Sequence, residues 1–300
     1  MRFLSLLAVL GLSVFLWVPR AVAQKDVSES KKYPPEISEA RVETYRKVGE
    51  RDLKIWIFPE TQPTGTPKAA IVFFFGGGWI SGSPSQFVMQ AKALAARGMV
   101  ACVADYRVAS RDGVKPTECV GDAKACIRWV RTHAVRLGVD PERIVAAGGS
   151  AGGHLAAATA FLPGLDPEAQ GSPVSSVPNA LALFNPALVL APLPGLDLSS
   201  FLAKTTEERF GCPPESISPA HHIRPGGVPT LIHHGSADST VPISSAEKFE
   251  ALMKAAGNRC ELLRYEGQAH GFFNRPPFQE ETLAKTDAFL VSLGYLAPKP

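Results

Sequence analysis

Short apolar runs and longer segments with helical spacing alternate along most of this chain. Most of the runs are rich in β-branched and aromatic residues, which is typical of strands buried on both faces of a parallel sheet. Strands are predicted at residues 53–58, 69–75, 100–104, 144–147, 180–184, 229–233 and 261–265, and helices at 87–97, 116–137, 155–158, 198–209, 245–256 and 279–293. This order predicts an α/β fold with an open, mostly parallel sheet and helices on both faces.

A glycine-rich sequence at residues 146–154 joins a buried strand to a small-residue helix. Ser150 lies at its centre, in the pattern Gly148-x-Ser150-x-Gly152. Glycines are required at such a turn because side chains there would collide with the strand and the helix. The pattern predicts a serine hydroxyl exposed beside a helix N-terminus. The pentapeptide alone fits a plain turn equally well, and a reactive serine also needs a base, an acid and oxyanion donors.

Polar residues that follow two other predicted strands supply the base and the acid. Asp238 comes after the strand at 229–233, and His270 comes after the strand at 261–265. Because the carboxyl ends of parallel strands meet at one edge of a sheet, we expect these side chains to lie near Ser150. We predict Ser150 as nucleophile, His270 as general base and Asp238 as the acid that orients the imidazole, in the chain order of an α/β-hydrolase triad.

From residue 42 onward the chain resembles the α/β-hydrolase carboxylesterases. It is most similar to secreted acetyl-xylan-esterase-like and feruloyl-esterase-like members, with kinship to the hormone-sensitive-lipase-like group. The resemblance rests on six ordered segments, at residues 76–79, 105–107, 122 with 128–131, 148–154, 234–242 and 269–271. It implies an ester hydrolase that works through an acyl-enzyme, and it implies a structural ion pair between Arg107 and Asp122 beneath the site.

The glycines at 76–78 are the predicted source of oxyanion donors. We expect the N–H groups of Gly77, Gly78 and Ala151 to surround the tetrahedral oxygen, because glycine lets the backbone approach without a Cβ. Three aromatic residues are candidate walls of the substrate pocket, although ordinary core packing explains them equally well. They are Trp79, Phe272 and Phe273.

Two positions depart from the hormone-sensitive-lipase-like pattern. Phe75 stands where that group usually has His before the glycines, and Gly149 stands where it has Asp before the nucleophile. Both changes remove a polar side chain. We therefore expect packing by Phe74 and Phe75, in place of a hydrogen bond, to hold the oxyanion loop.

The N-terminal residues 1–23 have the pattern of a secretory signal peptide. Arg2 precedes an apolar run at 3–18, and Ala21-Val22-Ala23 is a cleavage site before Gln24. An uncleaved membrane anchor is the alternative, but the run is only marginally long enough to span a bilayer. We predict a secreted or periplasmic protein without stable membrane insertion. Residues 24–41 are predicted to be a flexible lead-in, and 42–300 a catalytic domain with a small cap at about 185–225.

The composition argues against several partners. The net charge is +3 without a basic block, which disfavours nucleic acid and acidic membranes. We expect no cofactor and no metal, since neither zinc-ligand spacing nor a nucleotide-binding glycine loop is present. The number of cysteines is 5, an odd count without a CxxC, so no disulfide framework is predicted. Pairing of Cys212 with Cys260 or Cys119 stays open, as does the oligomeric state.

The sequence thus favours a secreted serine carboxylesterase that acts on short-chain or carbohydrate-linked esters, of the acetyl esterase type. A prolyl-oligopeptidase-like peptidase uses the same triad order, and the absence of a preceding propeller sequence argues against it. A non-catalytic binding module of the same fold is a further alternative. Such modules typically lose members of the triad, whereas all three residues are present here.

Overall fold

The computed structural model describes residues 33–58, 65–166 and 172–299. It separates Met1–Tyr33 from Pro34–Pro300, and the fold below is that of the second unit. The predicted signal peptide and residues 24–32 of the predicted lead-in lie outside the described residues, so export and the domain limits stay predictions. Within the described ranges, no helix has the length and apolar character needed to cross a membrane.

An eight-stranded sheet carries the site. The strands are β1 (Arg41–Val48), β2 (Arg51–Phe58), β3 (Lys68–Phe74), β4 (Val100–Ala104), β5 (Val139–Gly149), β6 (Ala180–Phe184), β7 (Thr230–Gly235) and β8 (Cys260–Tyr265). Their order is β1-β2-β4-β3-β5-β6-β7-β8. β2 pairs antiparallel with β1 and β4, and every other neighbouring pair is parallel.

Nine α-helices are formed by the described residues. They are α1 (Val88–Ala96), α2 (Ala109–Asp112), α3 (Pro116–Thr132), α4 (Ala134–Leu137), α5 (Ala151–Phe161), α6 (Ser199–Leu202), α7 (Glu207–Phe210), α8 (Ile243–Ala255) and α9 (Phe278–Ser292). Short 3₁₀ turns span Pro84–Phe87, Pro214–Ile217, Pro219–His222 and Phe272–Asn274.

The central strand β3 shows how the sheet divides the core. Val72 and Phe74 pack in one apolar cluster with buried residues of α3, α5 and α8. Ile71 and Phe73 point to the opposite face and pack with buried residues of α1 and α9. This alternation buries both faces of the strand, which explains its continuous apolar sequence. The predicted mostly parallel sheet with helices on both faces is confirmed.

Three differences from the sequence prediction have a clear physical cause. β1 was not predicted, because its sequence is rich in charged residues and only Tyr45 is buried, as suits an edge strand. The helix predicted at 116–137 is interrupted at His133, whose φ of −99° and ψ of 16° separate α3 from α4. The helix predicted at 198–209 is two short helices, α6 and α7, because Thr206 leaves the helical conformation and its side chain caps α7.

Candidate active site

A chain of hydrogen bonds connects the three predicted triad residues. Ser150 Oγ lies 2.9 Å from His270 Nε2. His270 Nδ1 lies 2.7 Å from Asp238 Oδ2. The carboxylate can only accept, so Nδ1 carries the proton and Nε2 is free to accept from the serine hydroxyl. The structure therefore brings together side chains that are up to 120 residues apart in the sequence.

The turn that presents Ser150 has the strained backbone that the glycine pattern predicted. Ser150 has φ 54° and ψ −119°, between the end of β5 and the start of α5. Gly152 packs directly against β3, where an added Cβ would lie 2.1 Å from the carbonyl oxygen of Phe74. The helix can therefore start this close to the sheet only with glycine at 152.

The carboxylate of Asp238 is held by several donors. Its Oδ1 accepts from the N–H groups of Thr240 and Val241, each at 2.9 Å. Its Oδ2 also lies 3.3 Å from Nε2 of the buried His234. Burial by itself would raise the pKa of Asp238, but the hydrogen bonds from His234, His270 and Val241 outweigh it and hold the pKa well below its ordinary value. Asp238 is thus an anion throughout the neutral range.

Asn185 supports the loop of His270 and was not among the predicted site residues. It is fully buried and adopts a positive φ of 36° directly after β6. Its Oδ1 accepts from the N–H of Gly271 at 2.9 Å, and its Nδ2 lies 3.5 Å from His270 Nε2. Asn185 comes immediately after the strand predicted at 180–184. The same criterion that identified Asp238 and His270, a polar residue just after a predicted strand, could therefore have identified it.

The predicted oxyanion donors lie beside Ser150. In the described structure the N–H groups of Gly77, Gly78 and Ala151 donate no hydrogen bond to protein. Gly77 (φ 129°), Gly78 (φ 62°) and Trp79 (φ 62°) are three successive residues with positive φ. This conformation directs the loop around the carbonyl of Gly77, which accepts from the N–H groups at positions 80 and 81. The role of these donors in catalysis stays a prediction.

Hydrogen bonds as well as packing hold the oxyanion loop, so the expectation of packing alone is wrong. The Phe75 ring stacks on Tyr106 with ring centroids 4.1 Å apart, while Phe74 is buried in β3. The Tyr106 hydroxyl also donates to the Phe75 carbonyl at 2.7 Å. The N–H of Gly76 donates to Gln86 Oε1 at 2.6 Å. The side chains that form these hydrogen bonds, Gln86 and Tyr106, lie outside the loop. The substitutions at Phe75 and Gly149 therefore gave no indication of them.

Trp79 is fixed from two directions. Its indole Nε1 donates to Nδ1 of His154, which follows Ser150 by one turn of α5, at 3.3 Å. On the other side, the Arg209 guanidinium lies 5.6 Å from the Trp79 ring centroid. Arg209 belongs to the predicted cap, and its Nη2 also donates to the Gly78 carbonyl at 3.4 Å. The cap therefore contacts the oxyanion loop directly.

The substrate space around Ser150 is unequal on its two sides. A cavity of about 130 Å³ is lined by Trp79, Ser150 and Ala151 together with cap residues. A cavity of about 320 Å³ lies on the His270 side and includes Phe273 in its walls. A third, of about 490 Å³, adjoins it at His270 and includes Phe272. All three candidate aromatic residues thus border this space, although each is largely buried.

The other predicted features are structural in character. Arg107 and Asp122 form a two-point ion pair, with Nε–Oδ2 and Nη2–Oδ1 both 2.9 Å. Arg46 of β1 also contacts Asp122, so the pair fastens the edge strand to α3.

Among the described residues, no group of three His, Cys, Asp or Glu side chains could hold a metal ion. The five cysteines are free thiols, of which Cys212 alone is not buried.

Comparison with known proteins identifies the family. The BD-FAE family model matches residues 57–190, and the dienelactone hydrolase family model matches residues 209–298. A propionate-bound esterase from the Planctomycetes species Thermogutta terrifontis has a TM-score of 0.83 and 51% sequence identity, over 90% of this chain and 100% of that chain. This chain belongs to the α/β-hydrolase esterases. The predicted fold and the prediction of a carboxylic ester hydrolase are confirmed.

Curated relatives of this esterase carry several activities in their names. A probable isoprenylcysteine α-carbonyl methylesterase from Oryza sativa subsp. japonica is 31% identical over 226 residues, which are 68% of this chain and 52% of that protein. The carboxylesterase NlhH from Mycobacterium tuberculosis is 28% identical over 268 residues, 81% of this chain and 79% of that protein. The esterase spans about half the length of the first of these relatives, so its own substrates are a matter for proposal.

Proposed function

We propose that this protein is a secreted serine carboxylesterase that hydrolyses short acyl esters of small molecules or carbohydrates, acetyl esters among them. The observation that carries the proposal is the continuous hydrogen bonding from Ser150 through His270 to Asp238, at 2.9 Å and 2.7 Å. The apolar run and small-residue cleavage site at residues 1–23 support secretion.

The reaction begins with attack of Ser150 Oγ on the ester carbonyl carbon, while His270 Nε2 accepts the hydroxyl proton. The carbonyl oxygen becomes an oxyanion that accepts hydrogen bonds from the N–H groups of Gly77, Gly78 and Ala151. As the tetrahedral intermediate collapses, the imidazolium gives its proton to the departing alcohol. Water then attacks the acyl-enzyme with His270 as base, which releases the carboxylic acid and restores Ser150.

The position of His270 distinguishes the acyl side from the alcohol side. His270 must reach the leaving alcohol to protonate it, so the alcohol occupies the cavities of about 320 and 490 Å³ that His270 borders. The acyl group is left with the cavity of about 130 Å³, which does not include His270. A small acyl space opposite a large, open alcohol space favours short acyl groups on bulky alcohols such as carbohydrates.

Hydrolysis of 4-nitrophenyl acetate by Ser150→Ala tests the proposal. We expect the variant to lose at least about 10⁴-fold in kcat, since loss of a nucleophile removes the covalent route altogether. The exposed Ser175→Ala is a matched control and should keep wild-type activity. Full activity of Ser150→Ala would refute the assignment.

A panel of acetylated xylan, feruloyl esters and 4-nitrophenyl esters of increasing acyl length then defines the substrate. Hydrolysis of an aminoacyl anilide tests for peptidase activity.

Secretion requires a separate experiment. Expression of the full chain with its natural N-terminus, followed by mass spectrometry of the exported protein, should give a mature chain that begins at Gln24. Protein retained in the cytosol with residues 1–23 intact would contradict this part of the proposal.

A further inference from the structure

The space around the proposed nucleophile has a one-sided charge. Lys204 and Arg209 line the acyl-side cavity, and Arg275 lines the outermost cavity on the alcohol side. None of the residues that line the three cavities is Asp or Glu. Neutral ester substrates do not require cations at these positions, so the charge calls for a separate explanation.

Arg209 is the most constrained of these cations. Its guanidinium is half-buried, and its two hydrogen bonds go to the backbone carbonyls of Lys204, at 2.9 Å, and Gly78, at 3.4 Å. A guanidinium has five N–H donors, so three remain. No carboxylate pairs with Arg209 or Lys204 anywhere in the described part of the chain. Burial also lowers the pKa of Arg209, as expected for a cation that lacks a counter-ion.

Holding the oxyanion loop does not by itself account for this arrangement. The contact with Gly78 uses one donor, and the contact with the Trp79 ring needs only a flat cation. Lys204 takes no part in either contact, yet it is among the residues that line the same cavity of about 130 Å³. Two cations at one small cavity repel each other, which an anionic ligand would relieve.

We propose that the acyl-side cavity binds an acyl chain that ends in a carboxylate, which pairs with Arg209 and Lys204. The substrates would be half-esters of short dicarboxylic acids, hydrolysed at the ester while the free carboxylate stays bound. The assignment of this cavity to the acyl group rests on the proposed function. Arg209 contributes a planar pair of donors to the carboxylate, and Lys204 contributes a more exposed charge.

Two ethyl esters of the same shape test this inference. Monoethyl succinate carries the terminal carboxylate, and ethyl 4-methylpentanoate replaces it with an isopropyl group. Release of ethanol gives kcat/KM for each, and their ratio cancels any general effect of a variant on the oxyanion loop. We expect Arg209→Met to lower the ratio of kcat/KM for monoethyl succinate to kcat/KM for ethyl 4-methylpentanoate by about 10- to 100-fold. This is the range for the loss of a charge-assisted hydrogen bond.

Further variants separate charge from shape. Arg209→Lys should retain part of the ratio, and Lys204→Met should lower it by about 2- to 5-fold because Lys204 is exposed. Lys285→Met removes an exposed lysine of α9 that lines none of the three cavities, and it should leave the ratio unchanged. Raising the salt concentration should slow the hydrolysis of monoethyl succinate and leave that of ethyl 4-methylpentanoate unchanged.

The outcomes distinguish this inference from the proposed function. If none of monoethyl succinate, ethyl 4-methylpentanoate and 4-nitrophenyl acetate is hydrolysed, the proposed function itself is refuted. Hydrolysis of the neutral ester with an unchanged ratio in Arg209→Met would overturn only the carboxylate site, as would an equal loss on both esters. Carboxymethyl butanoate, which carries its carboxylate on the alcohol, provides the last arm. If Arg209→Met lowers kcat/KM for carboxymethyl butanoate and leaves it unchanged for monoethyl succinate, the inference is also overturned.

Discussion

Trp79 and His154 are joined by a hydrogen bond in which the indole N–H donates to His154 Nδ1 at 3.3 Å. Because Nδ1 accepts, the proton of the neutral ring lies on Nε2, which donates to the carbonyl of Ile217 at 2.7 Å. One buried histidine thus connects the helix that follows Ser150, the oxyanion loop and the predicted cap. Burial lowers the pKa of His154 to about 4, which keeps the ring neutral in this role.

His154→Phe should therefore impair turnover more than substrate binding. The change leaves the buried indole N–H without a partner, at a cost of about 1–3 kcal/mol, and releases Trp79 beside the oxyanion donors. We expect kcat on 4-nitrophenyl acetate to fall about 10-fold with little change in KM. His133→Asn, at the junction of α3 and α4, is the matched control. Equal kcat for His154→Phe and the wild type would show that the bond does not position the loop.

Stability should fall in mild acid because two buried histidines resist protonation. Burial lowers the pKa of His154 to about 4 and that of His233 to about 3, whereas both would titrate near 6.5 in the unfolded chain. The unfolded state therefore binds protons that the folded state does not, and stability present above pH 6.5 is lost as the pH falls towards 4. Each histidine should contribute about 2 kcal/mol to the loss between pH 7 and pH 5.

Urea unfolding at these two pH values measures this loss. In His233→Gln the difference in unfolding free energy between pH 7 and pH 5 should shrink by the contribution of that residue, whatever the absolute stability of the variant. His233 contacts Tyr265 and Thr286 and not the triad, so the measurement is independent of catalysis. A pH dependence identical to that of the wild type would contradict the predicted role of burial.

Gly77 and Gly78 should respond differently to alanine. Both have positive φ, but a Cβ at Gly77 would lie 2.1 Å from the Ser81 carbonyl oxygen. At Gly78 the nearest atom is the end of the Arg209 side chain, 3.8 Å away. Gly77→Ala should therefore displace the loop and lower kcat by about 100-fold or more, whereas Gly78→Ala adds only backbone strain of about 1–2 kcal/mol. Comparable kcat values in the two variants would refute the predicted position of the donors.

Asp238→Asn tests the orientation of the imidazole. The amide can donate to His270 Nδ1 and so favours the tautomer with its proton on Nε2, which cannot accept from Ser150. We expect kcat to fall by about 10⁴-fold near pH 7 with the fold intact by circular dichroism. The exposed Asp197→Asn is the control, since its carboxylate accepts only from the N–H and the side chain of Ser199. A loss below about tenfold would mean that Asp238 does not orient His270.

The apolar pattern predicted the central strands well because both of their faces are buried. β3, β4 and β6 are almost continuous apolar runs, and such runs cannot be placed at a surface without cost. β1 escaped prediction because an edge strand with one buried side chain has no such pattern. The rule that ligands bind beyond the carboxyl ends of parallel strands predicts from the sequence alone that Ser150, Asp238 and His270 lie near one another.

The contacts that support the oxyanion loop could not be predicted from the sequence. Gln86, Tyr106, His154 and Arg209 act on the oxyanion loop from separate elements, and each contact joins residues at least 10 positions apart. A local pattern of residues does not specify which distant side chain meets which carbonyl. Phe75 and Gly149 showed that two polar residues were missing, but only the folded chain shows what takes their place.

The contact of Arg209 with Gly78 couples the predicted cap of this esterase to its oxyanion loop. In the proposed mechanism, the segment that lines the acyl-side cavity also contacts the backbone predicted to bind the oxyanion, so substrate preference and turnover are coupled. A chimaera that receives a foreign cap would change its preference and its turnover together. Evolution of a new specificity in this scaffold would then proceed by paired changes, one in the cap and one in the loop beneath it.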